Sequence, residues 1–303
     1  MKELVTILLT TYNGQQYIQQ MLDSIYLQDY RPIEVIITDD ASIDKTVSIV
    51  KNWIKNKAKE YISFKIILNK RNKGLSANMS NAIKYVHGKY LFFADQDDLW
   101  VKNKVSVQVE YLKKNIDCEM CICDRSAINS RNEIICRSLM RYEKINFCKR
   151  DYKDVLRNGS EYPANSICLR TNHLDNIFPI PNQICEHDTF IVIMAVHYGK
   201  VGYVRKSLTL YRIHNNNLSG NYAIETNKSF FKLLRITVKT MKRINQKNII
   251  DPLIIKEELI RRFDEDNIQF STNMYSGKKK FIFTTLVILV LSNLRKKKNF
   301  YLS

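Results

Sequence analysis

Short apolar runs punctuate the first third of the chain, at Leu4–Leu9, Ile33–Thr38, Phe64–Leu68 and Tyr90–Ala94. Each is five or six residues long and rich in Ile, Val, Leu or Phe. Near-continuous apolarity at that length predicts strands buried on both faces. Between the runs the period changes. Ile18, Leu22 and Ile25 share one helical face, as do Val47, Val50, Trp53 and Ile54, and then Met79, Ile83 and Val86. Asp44 is placed to cap the second helix, and Gly88 to stop the third. A β-α-β-α-β-α-β order requires crossover connections. The expected fold is therefore α/β, with a Rossmann-like, mostly parallel central sheet and helices on both faces.

In such sheets the ligand site lies outside the carboxyl ends of the strands. Polar residues gather at all four predicted ends: Thr10-Thr11-Tyr12-Asn13-Gly14, Asp39-Asp40-Ala41-Ser42, Asn69-Lys70-Arg71-Asn72-Lys73-Gly74, and Asp95-Gln96-Asp97-Asp98. Residues 115–180 are less periodic and read as a mixed region with short strands. Two further polar islands follow, Glu186-His187-Asp188 and Tyr211-Arg212-Ile213-His214.

Three carboxylates within residues 95–98 repel one another, and a cation relieves that repulsion. Oxygen ligands that leave coordination positions open suit Mg²⁺ or Mn²⁺ bridging to substrate phosphates. The plainer reading is a solvated acidic turn ahead of the helix carrying Val105, Val109 and Leu112. Position at the end of a buried strand favours the metal. Tyr12 offers a face on which a base stacks, or simple packing. Asp188 reads either as a base or as the cap of the helix that follows. His214 reads as a site residue or as an ordinary loop histidine.

Taken in order, Thr10-Thr11-Tyr12-Asn13, then Thr38-Asp39-Asp40-Ala41-Ser42-x-Asp44-x-Thr46, then Asn72-x-Gly74-x-x-x-Asn78, then Asp95-Gln96-Asp97-Asp98-Leu99-Trp100 resemble glycosyltransferase family 2. The likeness spans about residues 3–220. The run from Asp95 to Trp100, and Tyr211-Arg212-x-His214-x-x-Asn217, resemble its rhamnosyltransferase-like branch. The resemblance implies a GT-A fold, a nucleotide-diphosphate-sugar donor (dTDP- or UDP-linked), Mn²⁺ or Mg²⁺, and inversion at the anomeric carbon. Carried over by position, Thr10, Tyr12, Asp40 and Asp95 would hold the nucleoside. Asp97 and His214 would hold the metal, with Asp98 a further candidate. Asp188 would be the catalytic base, with Glu186 as rival, and Arg71 and Arg212 would face the diphosphate. Two other readings keep the same fold: a metal-dependent nucleotidyltransferase or phosphodiesterase, and a non-catalytic nucleotide-sugar-binding membrane protein.

Composition changes the picture mainly at the carboxyl end. The chain has 303 residues, a mean hydropathy of -0.29 and a formal charge of +18, which excludes a disordered polymer and a multi-span membrane protein. Residues 226–303 carry 17 basic and six acidic side chains, so about a quarter of the chain holds most of the excess. There, Lys278–Lys280 and Arg295–Lys298 bracket the apolar stretch Phe281–Leu294. That stretch is shorter than the roughly 20 residues a span requires. The pattern predicts a basic, amphipathic helical region lying on an anionic membrane surface, and disfavours nucleic acid. The expected organisation is a catalytic domain over residues 1–225 and a membrane-associating region over 226–303. The seven cysteines form no paired framework, and no signal peptide precedes the first strand. Together these features predict a peripheral enzyme on the cytoplasmic membrane face, acting on a glycan or lipid-linked acceptor. Cys118, Cys121 and Cys123 read as a strand of small apolar residues rather than a zinc site.

Overall fold

The computed structural model describes residues 2–57, 62–143, 162–180 and 187–214. The elements central to the site begin with β1 (Val5–Thr11), α1 (Ile18–Tyr26), β2 (Ile33–Asp39), α2 (Thr46–Lys57), β3 (Ile62–Leu68) and α3 (Leu75–Ala82). Next come β4 (Tyr90–Asp95), β5 (Leu99–Trp100), α4 (Lys104–Lys114), β6 (Cys118–Ile128), β7 (Ile134–Cys136) and α5 (Leu139–Tyr142). The last are β8 (Ile167–Arg170), α6 (Leu174–Ile177), α7 (His187–Ala195) and β9 (Lys200–Arg212). The four predicted strands are β1 to β4, each extended by a residue or two.

The strands form one sheet in the order β3-β2-β1-β4-β8-β6-β9-β5, with β7 on β6. The first four are parallel, as expected. Beyond β4 the expectation of a mostly parallel sheet needs correction. β8 runs antiparallel between β4 and β6, and β5 runs antiparallel on β9, so the whole is mixed. Within this half lies β6, an 11-residue buried strand across Cys118–Ile128 that includes Cys118, Cys121 and Cys123. Its apolar signal is broken by Glu119, Asp124 and Arg125, which hid its length. β3 also departs from expectation: it is the sheet edge and is only partly buried. The third helix stops at Ala82 and continues as a 3-10 turn over Ile83–Tyr85.

Alternation along β1 divides the core. Val5, Ile7 and Leu9 join Val35, Phe92, Ile18, Leu22, Val50, Val105 and Val109 in one cluster, so α1, α2 and α4 cover that face. On the other face α3 packs against β1 and β2, and Phe93 meets Phe178 with ring centroids 6.4 Å apart. The amphipathic region expected over 226–303, and with it Asn217, lies outside the described residues. Among the described residues no helix is long and apolar enough to cross a membrane.

The amino ends of the parallel strands are tied by one carboxylate. Glu34 on β2 accepts from Thr6 Oγ1 on β1, from the His87 N–H at 2.6 Å and from the Gly88 N–H at 3.1 Å. His87 Nδ1 lies 3.0 Å from its other oxygen. A side chain on Gly88 would put its Cβ 2.5 Å from Thr6 N, so only glycine allows this approach. Burial alone would raise the Glu34 carboxyl, but the hydrogen bonds from Thr6, His87 and Gly88 outweigh it and hold it below its ordinary value. A lowered folded pKa contributes stability above the unfolded value, about 4.3, and that contribution disappears as pH falls through the folded value. Glu34→Ala should therefore cost about 1–3 kcal/mol at neutral pH. In urea unfolding, the gap from wild type should close toward pH 3; a gap that persists undiminished there would contradict this account.

Candidate active site

Strand register builds the floor of the crevice. Thr10 lies beside Thr38 on one side and Asp95 on the other, at the carboxyl ends of β1, β2 and β4. The loops above are joined by polar contacts. Asp39 accepts from Thr11 Oγ1 at 2.7 Å, from the Ser42 N–H at 2.8 Å and from Ser42 Oγ at 2.6 Å. Asn13 N–H donates to Ser42 Oγ at 2.9 Å, and Ile43 N–H to Asn13 Oδ1 at 2.9 Å. Ala41 sits between them at a φ of 64°, a left-handed conformation this network holds in place. Asp44 accepts from the Thr46 N–H at 2.9 Å at the start of α2, the capping contact expected of it.

Tyr12, just past the end of β1, is 46% exposed. Its backbone is held by a residue that sequence reasoning passed over. Gln96 Oε1 accepts from Tyr12 N–H, and Gln96 Nε2 donates to Tyr12 O, each at 2.9 Å. Gly14 makes room for this amide, since a Cβ there would fall 2.1 Å from Gln96 Oε1. Asp40 is buried, and its carboxylate is occupied by Asn69 Nδ2 at 3.0 Å, Lys73 N–H at 2.9 Å and Gly74 N–H at 2.8 Å. It clamps the loop after β3 rather than presenting free oxygens to a ligand. Arg71 lies exposed in that same loop.

The acidic run forms the turn from β4 into β5. Asp98 faces inward and is buried, accepting Arg212 N–H at 3.0 Å and Asn165 Nδ2 at 2.5 Å. Burial first, then the charges of Asp95 and Asp97, push its carboxyl well above the usual range. Each Asp98 oxygen thus holds one hydrogen bond within the scaffold. Asp95 is pushed up to about 7 by burial first, then by Asp97 and Asp188; Arg125 and a hydrogen bond from Asn165 act in the opposite direction. Asp188 stands in the first turn of α7, and its charge is among those that raise Asp95. Asp97 Oδ2 lies 2.9 Å from His214 Nε2, and both side chains are only partly buried.

Arg212, expected at a diphosphate, is instead fully buried beneath the turn. Its guanidinium donates to Asp97 O at 2.7 Å, Asn132 Oδ1 at 2.6 Å, Gln20 Oε1 at 3.0 Å and Asn129 O at 3.1 Å, and it stacks 4.4 Å over the Tyr17 ring. Five donors in a planar fork let one side chain bind four acceptors at once, which locks the turn to β9. The structure thus brings Thr10, Tyr12, Asp95, Asp97, Asp188 and His214 to one crevice. It assigns Asp40, Asp98 and Arg212 to the frame. Glu186 lies outside the described residues. Gln96 and Asn165 were missed because a lone amide carries no pattern that a sequence reading can weigh.

A divalent cation fits this donor set. Among the described residues no three His, Cys, Asp or Glu side chains converge into a preformed cage. Asp97 and His214 provide an oxygen and a nitrogen, a partial set that suits an ion drawing its other ligands from phosphate and water.

Residues 6–171, more than half of the chain, match the family model described as glycosyl transferase family 2. WfaP of Escherichia coli, a UDP-Glc:alpha-D-GlcNAc-diphosphoundecaprenol beta-1,3-glucosyltransferase, is 37% identical over 113 residues, which is 37% of this chain and 42% of WfaP. TuaG of Bacillus subtilis, a putative teichuronic acid biosynthesis glycosyltransferase, is 24% identical over 231 residues, 76% of this chain and 87% of TuaG. The chain therefore spans under half the length of the first relative and most of the second. S. aureus TarS 1-349 in complex with UDP has a similar fold at a TM-score of 0.61 and 18% identity, across 91% of this chain and 76% of that one. The mannosyltransferase PcManGT of Pyrobaculum calidifontis, in complex with GDP-Man and Mn²⁺, gives 0.58 and 16%, across 99% and 84%. The shared fold is of the GT-A type, with a mixed α/β sheet.

A carboxyl whose folded pKa is raised loses the fold stability as pH climbs from its unfolded value, about 3.9, to its folded one. Asp95 spans that window up to about 7. In chelator, Asp95→Asn should therefore melt a few degrees above wild type at pH 8, and the two should converge near pH 4. Melting curves that coincide at both pH values would show that Asp95 carries no such load.

Proposed function

The chain belongs to glycosyltransferase family 2, and from that premise we propose that it moves a sugar, with inversion, from a UDP-linked donor to a hydroxyl of a lipid-linked glycan during cell-surface polysaccharide synthesis. The observation that carries this reading is the meeting of Asp95, Asp97, His214 and Asp188 at the carboxyl ends of the parallel strands. The activities ascribed to WfaP and TuaG, and the binding of UDP by TarS, support the substrate classes. A dTDP-rhamnose donor, implied by the motif resemblance, is the narrower alternative.

The nucleoside lies against the exposed face of Tyr12, over Thr10, while Asp40 acts from beneath by fixing the loop that carries Arg71. Asp97 and His214 would hold Mn²⁺ or Mg²⁺, which when bound offsets negative charge on the departing diphosphate. Asp188 faces the acceptor. An alcohol is a poor nucleophile near neutral pH, and a carboxylate within hydrogen-bond reach removes its proton as the new bond to the anomeric carbon forms. The sugar–phosphate bond breaks on the opposite face, so no covalent enzyme intermediate is required. Residues 226–303 would keep the enzyme at the cytoplasmic membrane surface, where a lipid-linked acceptor resides.

The test is direct. The full chain, with Mn²⁺ and a lipid-diphosphate-linked saccharide, is offered UDP-glucose, UDP-N-acetylglucosamine and dTDP-rhamnose. Release of nucleoside diphosphate with sugar on the lipid is expected from one of the UDP donors. Asp188→Asn should lower kcat by about 100-fold or more, with donor KM little changed. Turnover of that variant within a few fold of wild type would remove Asp188 from the role of base. Release of nucleoside monophosphate would favour phosphodiester chemistry instead.

A further inference from the structure

Lys104 is fully buried in the first turn of α4. Removing an ammonium from water costs several kcal/mol in a folded protein. An apolar side chain of similar length would fill the same space at lower cost, so the charge answers a need other than packing. Its three N–H groups meet Asn165 O at 3.0 Å, Thr209 Oγ1 at 3.0 Å and Cys123 Sγ at 3.3 Å. The ammonium also lies 4.9 Å from the Trp100 ring centroid. Among the described residues no carboxylate is within ion-pair distance of it.

Asn165 stands between this cation and the acidic turn. Its Nδ2 donates to Asp98 Oδ2 at 2.5 Å. Its Oδ1 is buried with no hydrogen-bond partner, so the amide is oriented by its donors alone. Thr209 Oγ1 gives a second hydrogen bond to Asn165 O at 3.0 Å. One helical turn along α4, Gln108 Nε2 donates to Ser166 O at 2.8 Å. Two side chains on one face of α4 thus grip consecutive carbonyls of the 3-10 turn Ala164–Ser166, directly beneath the acidic turn.

We propose that Lys104 is a positioning residue for the ion-binding turn: its ammonium fixes Asn165, Asn165 fixes Asp98, and the adjoining Asp97 is thereby presented to His214. The proposal rests on the reading of Asp97 and His214 as the ligands of a divalent ion.

The test titrates Mn²⁺ into the full-length protein with saturating UDP and reads the unbound ion by electron paramagnetic resonance. Lys104→Met and Asn165→Ala, each checked for folding by circular dichroism, should each weaken Mn²⁺ binding by about tenfold or more, the usual effect of removing an outer-shell partner. The double variant should be no weaker than the weaker single, because both act through one contact. Wild-type affinity in either folded variant, or losses that add in the double, overturns the proposal. If Lys104→Met does not fold, Asn165→Ala decides alone: a tenfold loss supports the proposal and an unchanged affinity overturns it. Absence of Mn²⁺ binding by the wild type would overturn the ion-binding reading of Asp97 and His214, and this proposal with it.

Discussion

Negative charge concentrated at the end of a buried strand is the constraint that organises this molecule. Asp95, Asp97 and Asp98 leave β4 within four residues, and Asp188 arrives from α7 to face the first of them. Carboxylates this close in a shielded crevice cannot all ionise freely. The protein handles them unequally. Asp98 is drawn inward and held by Arg212 N–H and Asn165. Asp97 is turned toward His214. Asp95 is left with its carboxyl raised.

β9 is the second half of that solution. It runs 13 residues along β6 and delivers Thr209, Arg212 and His214 to three different levels of the same turn. Thr209 reaches the layer beneath, Arg212 the backbone of the turn, and His214 the open side. A strand pins such a sequence of contacts more firmly than a loop, because ladder hydrogen bonds on both neighbours fix its register.

Much of this was legible in the sequence. Apolar runs located β1 to β4, and the carboxyl-end rule put Thr10, Tyr12, Asp95 and Asp97 in one crevice before any coordinates. What failed had physical causes. β6 was obscured because Asp124 and Arg125 have local partners invisible in the chain, such as Ser138 Oγ and Met140 N–H on Asp124 and Glu143 beside Arg125. Arg212 and Asp40 looked like ligand groups because their residue types bind phosphates and bases. Only three-dimensional accounting shows their hydrogen-bonding capacity already used by the protein. Lys104 drew no reading from the sequence, since burial of a charge leaves no periodic mark.

The reciprocal pairing of Gln96 with the Tyr12 backbone acts as an extra rung between β1 and β4, made by a side chain instead of a strand. It works only because an amide offers one donor and one acceptor side by side. Exchange of its NH₂ for oxygen, through a single codon change or slow hydrolysis with age, would set two oxygens against each other at Tyr12. It would also add a fourth carboxylate to residues 95–98. Tyr12 and the acidic turn would then come uncoupled, through a change of one atom that leaves size and shape almost untouched.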